Sequence, residues 1–91
     1  MTDIAYGLIK GDVHCYEKLI DEYTTYVIAI IRKLAGTKLS NTDIEQLTTD
    51  VFVAIWQVRE NIIPDKLKIC IAKITKSIVI NKFEQIGEGG L

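Results

Sequence analysis

Ninety-one residues allow one domain of modest size, and a chain this short hides roughly 60 to 65% of its extended surface on folding. With 48% hydrophobic and 25% charged residues it has enough apolar side chains for one core, which excludes global disorder. A formal net charge of -1 excludes a general attraction to nucleic acid and leaves only local charge patterns to consider.

Cys15 and Cys70 lie far apart with no cluster of other ligands, which argues against zinc. They read as small apolar fillers in a reduced compartment, with a single disulfide as the alternative. Lysine and arginine interrupt every apolar run well before the roughly 18 residues a membrane span requires, and no signal peptide precedes the first helical pattern. The expectation is a cytoplasmic chain with no membrane partner.

The charges are unevenly distributed. Residues 1–22 carry Asp3, Asp12, Glu17, Asp21 and Glu22 against Lys10 and Lys18, and residues 41–60 carry Asp43, Glu45, Asp50 and Glu60 against Arg59. Residues 65–83 reverse the sign, with Lys66, Lys68, Lys73, Lys76 and Lys82 against Asp65. That stretch reads either as a solvated helix face or as a local surface for an anionic ligand.

In chain order, a short first helix is expected over about residues 2 to 9, broken near Gly11, with Asp12 as N-cap of the next. Tyr16, Leu19, Ile20, Tyr23, Val27, Ile30, Ile31 and Leu34 then recur at spacings of three and four, one stripe of a long helix that Gly36 ends. Thr24, Val27 and Ile30 are mediocre helix formers, so burial must hold this helix. Thr42 with Glu45 has capping-box spacing, and Ser40 with Asp43 offers another register. The helix that follows, roughly 43 to 59, turns Ile44, Leu47, Val51, Ile55 and Val58 inward, with Phe52 and Trp56 beside that stripe. After a connector over Asn61 to Pro64, Asp65 is the expected cap of a last helix with the seam Leu67, Ile71, Ile74 and Ile78, bordered by Cys70. Lys66, Lys73 and Ser77 share another face of it, flanked by Lys76 and Asn81. The expected fold is all-α: a compact bundle of three longer helices plus a short N-terminal one, spanning residues 1–86. Residues 87–91 read as a frayed tail or the start of a linker, and the closing EGGL as a cut within a longer protein.

Motifs for catalysis are missing: there is no Gly-rich phosphate loop, no HExxH, no paired cysteines and no nucleophile elbow. His14, the one histidine, sits just after a helix cap and reads as solvent-facing. Glu45 and Asp50 are five residues apart, about 140° around a helix, so they do not converge as an acid pair. The expectation is no enzyme, no cofactor and no metal site.

Three segments together match a known pattern. DIEQLTTDVFVAIW, residues 43 to 56, resembles the second conserved region of sigma-70 family transcription initiation factors of the extracytoplasmic-function group, where the form is close to DAEDLVQEVFLRLW. KGDVHCYEKLIDEYTTYVIAIIRKL looks like that group's GD-x-x-AF-x-x-L opening and long first core helix. KLKICIAKITKSIVINKF looks like its W-L-x-x-IARN-x-x-x-D-x-x-R helix. The likeness runs over about residues 5 to 83.

The resemblance implies a transcription factor domain that docks on a coiled coil of the largest subunit of bacterial RNA polymerase. The matching docking positions are Asp43, Glu45, Gln46, Leu47, Thr49, Asp50 and Phe52. An apolar ridge rimmed by acids suits a basic, apolar partner helix. The resemblance further implies recognition and melting of the promoter -10 element, mainly through the non-template strand. Its positions here are Lys73, Lys76, Ser77 and Asn81, with a connector from Arg59 to Asp65 and with Lys66 at the helix start. Lysines contact phosphate, and Ser77 or Asn81 donates to base edges. An anti-sigma factor is a further partner class of this family.

The chain departs from the pattern at several places. Gln46 and Thr49 stand where Asp and Gln are usual, Cys70 where Trp is common, Ser77 for Asn, Asn81 for Asp, and Glu84 with Gln85 for an arginine pair. These changes weaken a grip on DNA more than the docking face. They leave a second reading open, a polymerase- or protein-binding helical module that has lost promoter recognition. The domain that reads the -35 element is absent from these residues, so the chain reads as a fragment of a longer factor or as one subunit of a split one.

Overall fold

The long second helix organises the molecule, and its two ends are set by local chemistry. In the computed structural model, which describes residues 3–89, helix α2 spans Val13–Ala35. Asp12 caps it: its carboxylate accepts from the backbone N–H of His14 at 2.9 Å and of Cys15 at 3.3 Å, satisfying donors that the helix cannot pair internally. Gly36 stops it at φ 58°, a backbone conformation that costs an L side chain strain, and donates its N–H to Arg32 O at 2.8 Å. Arg32 and Lys33 in the last turn complement the negative end of the helix dipole.

Helix α1, Asp3–Ile9, lies against the start of α2 and buries Ala5 and Leu8. Gly7 lets the two backbones approach, because a Cβ there would collide with Cys15 Sγ and Cβ. Helix α3, Asn41–Gln57, begins with the Ser40–Asp43 capping box. The Ser40 hydroxyl accepts from Asp43 N–H, and Ser40 N–H donates to the Asp43 carboxylate, both at 3.1 Å. The Thr42–Glu45 register is therefore not used, and α3 starts and ends two residues earlier than its periodicity implies. Val58, expected inside, is 38% exposed just past its end. Two 3-10 turns follow, Arg59–Asn61 and Pro64–Lys66, and then helix α4, Leu67–Gly89. Asp65 sits within the second turn and makes no capping hydrogen bond; Pro64 at its first position does the entry instead. The expected tail is helical as far as Gly89, and residues 90 and 91 lie outside the described residues.

The all-α bundle expected from the sequence is the observed architecture, but α2 and α4 bury more sharply defined rows than their stripes suggest. On α2 the row is Leu19, Val27, Ile31 and Ala35, with Tyr23 half-buried in the same four-residue spacing, and on α4 it is Leu67, Ile71, Thr75 and Val79; α3 keeps its expected stripe of Ile44, Leu47, Val51 and Ile55 and buries Phe52 beside it. Rows of i, i+4 positions are ridges inclined to the helix axis, and they interlock with the grooves of a neighbour that crosses at an angle. This inclination moves Ile74 and Ile78 from the centre of the α4 seam to half-buried flanks, and it leaves Leu34 43% exposed while Ala35 is buried. Thr75, a polar residue in the core, resolves its burial inside its own helix by donating Oγ1–H to Ile71 O at 2.7 Å. Leu39 and Ile62, from the two connections, close the ends of the core.

Ile71→Ala is expected to cost about 3 kcal/mol and Ile74→Ala about half as much, read from urea unfolding at a common m-value. The larger loss at Ile74 would put the ridge in the wrong register. Ser40→Ala should cost about 1 kcal/mol, whereas Thr42→Ala, exposed and outside the cap, should stay within about 0.5 kcal/mol.

Candidate functional site

Helix α3 divides its expected docking residues between two grooves. Asp43, Gln46, Leu47 and Asp50 line one between α3 and α4, about 230 Å³ in volume, together with Ile78, Asn81, Lys82 and Gln85. Thr49 and Phe52 line another between α3 and α2, about 220 Å³, with Tyr16, Ile20, Thr24, Thr48 and Val53. Glu45 is exposed one turn from Thr49, whose hydroxyl donates to Glu45 O at 3.2 Å. The polar members are thus presented outward, and Gln46 donates to the Asp50 carboxylate at 3.1 Å.

The two apolar members are different. Leu47 at 4% and Phe52 at 5% exposure belong to the chain's own core, so the expected apolar ridge does not stand proud of α3. Phe52 only closes the floor of the α2–α3 groove. The apolar contact that this surface offers comes from Val53, 47% exposed, and from Tyr16 and Ile20 on α2. Sequence reading passed over Val53; its place four residues after Thr49 and eight after Glu45 was the available signal.

Trp56 and its neighbours tie this region together. Tyr16 donates its hydroxyl to Phe52 O at 2.7 Å, and its ring lies 4.8 Å from that of Trp56. Burial pushes the Tyr16 phenol upward from its ordinary pKa. The Arg59 guanidinium covers the Trp56 ring at 4.1 Å and donates through Nη1 to Trp56 O at 2.8 Å. It thereby stacks on the ring and satisfies a carbonyl at the C-terminal end of α3. Its Nε is buried without a partner. Arg59, expected to face DNA, is committed to the bundle.

The remaining residues expected at DNA do not form one continuous strip. Lys66 and Lys73 border a groove between the connector and α4. Lys76 borders the groove between α4 and α2, opposite Lys33 and Leu34. Asn81 lies with Asp43 and Asp50 in the α3–α4 groove, and Ser77 is exposed. Two titratable groups here are perturbed. The hydrogen bonds from Ser40 hold the Asp43 carboxyl below the usual carboxylate range, with a smaller contribution from Lys82. Burial raises the Cys70 thiol, and Lys73 opposes it.

Among the described residues no group of His, Cys, Asp or Glu is placed to hold a metal ion, and no helix is long and apolar enough to cross a membrane. Comparison with family models, with curated proteins and with solved structures found no match.

Because the folded Asp43 pKa lies below its unfolded value, its contribution to stability is present above the unfolded carboxylate pKa and is lost as pH falls through the folded one. The stability gap between the parent and Asp43→Asn should accordingly close in acid, which thermal unfolding between neutral and strongly acidic pH would reveal. Arg59→Ala should cost about 1 to 2 kcal/mol through the lost stacking and hydrogen bond and should alter the fluorescence of Trp56, the one tryptophan.

Proposed function

We propose that the chain is a sigma-factor core domain that docks on bacterial core RNA polymerase and recognises and opens the promoter -10 element, acting in the cytoplasm. The observation that carries the reading is the ordered set of three sequence resemblances, which fall on α2, α3 and α4 in turn. The geometry is compatible with it in a specific way. Asp43, Glu45, Gln46, Thr49 and Asp50 are all accessible on α3, and the α2–α3 groove beside them has an apolar floor at Phe52 and Ile20 and an exposed rim at Val53. A basic, apolar helix of a coiled coil would find apolar contact in the groove and orientation from the acids.

A second reading, a protein-binding module without promoter recognition, is favoured by one observation. Arg59 is spent on Trp56 and Asn81 stands among Asp43 and Asp50, so two of the expected DNA contacts are drawn away from a basic surface. Capture of core polymerase with and without single-stranded -10 DNA separates the readings. Binding of polymerase with no DNA dependence supports the module.

Asp50→Arg and Val53→Asp should each weaken binding in a titration against core polymerase. Because both sites are exposed, Asp50→Arg should change stability by less than about 0.5 kcal/mol. Unchanged affinity of both variants would remove α3 from the docking surface. If Lys73 and Lys76 touch phosphate, the polymerase-bound domain carrying alanine at both should lose about 1.4 units from the slope of log affinity against log salt for a fluorescent non-template strand. Ser77→Ala should change the ranking of -10 variants and leave that slope alone, since a neutral donor releases no counterion.

A further inference from the structure

The connector after α3 and the first two turns of α4 enclose a groove of about 220 Å³ that the docking surface of α3 does not use. Its walls are aliphatic: Ile62 and Ile63 from the connector, Ile69 and Ile74 from α4. Ile63 is 59% and Ile69 56% exposed, so two large apolar side chains face solvent on either side of one depression. Lys66 and Lys73 stand at its rim, both exposed. They are seven residues apart, roughly 10 Å along a helix.

This chemistry discriminates between occupants. An unpaired base is held by stacking on an aromatic face and by hydrogen bonds to its edge. None of the residues lining this groove is aromatic, and its uncharged polar groups are the Asn61 amide and the weakly polar Cys70 thiol. Branched aliphatic walls instead remove water from a branched aliphatic side chain, for which the volume is adequate. The two lysines at the rim would pair with carboxylates, and they belong to a segment in which Asp65 is the one acid among five lysines over residues 65–83. An extended peptide rises about 3.3 Å per residue and turns every second side chain to the same face, so an aliphatic residue with acids two positions before and two positions after it presents all three to the groove, its carboxylates about 13 Å apart and within reach of the two long lysine side chains.

From this juxtaposition we infer that the groove is a docking site for an acidic protein segment, with one bulky aliphatic side chain seated between Ile63 and Ile69 and flanking carboxylates paired with Lys66 and Lys73. The site is independent of polymerase docking through α3. It competes with nucleic acid for Lys66 and Lys73, so an occupant here would control access to the basic side of α4.

The test uses the full chain with isoleucine methyl groups labelled for NMR. The probe is the acetylated, amidated peptide Ser-Glu-Ser-Leu-Ser-Glu-Ser, beside the same peptide with Ala for Leu and an oligothymidylate strand. The leucine peptide should shift the methyl signals of Ile63, Ile69 and Ile74 saturably, and added salt should weaken it. The alanine peptide, and a Lys66→Glu/Lys73→Glu variant whose Ile31 and Ile55 signals report an intact core, should each bind about tenfold or more weakly, a difference of about 1.4 kcal/mol. The inference fails if the leucine peptide leaves these methyls unmoved or moves them no more than the alanine peptide does. It also fails if the oligothymidylate strand perturbs Ile63 and Ile69 more strongly than the peptide. None of these outcomes depends on whether the domain binds polymerase.

Discussion

Everything in this fold hangs on the inclined ridge of α2. Leu19, Val27, Ile31 and Ala35 descend in steps of four and present a continuous apolar surface to α3 and α4, while the same helix receives α1 at its start. Full burial of each large side chain in such a row contributes about 1.5 to 3 kcal/mol, which is what a long helix containing Thr24, Thr25, Val27 and Ile28 needs to offset its mediocre intrinsic propensity. α4 buries a row of the same spacing, and a polar residue, Thr75, is taken into the core because it falls on that row.

The row that each helix buries determines what reaches solvent. α4 has isoleucines on more than one side, and only those along the Leu67–Val79 row can be fully covered. Ile69 and Ile80 are left outside among lysines. On α3 the opposite happens: Leu47, Phe52 and Ile55 are absorbed into the bundle, so the surface beside them keeps its acids and loses its largest apolar groups. The exposed chemistry of the two helices is complementary in character, acidic with a threonine and valine rim on α3, basic and aliphatic on α4.

The aromatic cluster at the far end of α3 explains the short connector. Tyr16 reaches from α2 to the Phe52 carbonyl, Trp56 packs against Tyr16, and Arg59 lies across Trp56. The chain leaves α3 through a residue that is itself part of the packing, and Ile62 is drawn inward three positions later. The connector is consequently anchored at both ends and leaves Ile63 projecting.

Local chemistry made the helices legible in sequence. Asp12 before an apolar-periodic run, glycine at position 36, and a serine three residues ahead of an acid are short-range signals, because capping involves groups within four residues of each other. The all-α class, the order of elements and most of the core could be read from them. Ser40 rather than Thr42 as the cap could not, since both registers have the same spacing and only the position of α3 against its neighbours separates them. Likewise the choice of Thr75 and Val79 over Ile74 and Ile78, the burial of Phe52, and the diversion of Arg59 to Trp56 were tertiary decisions. Periodicity identifies the side of a helix that is apolar to within about one residue, some 100° of arc. The placement of the neighbouring helices selects the row within that arc, and no local run of residues encodes that placement.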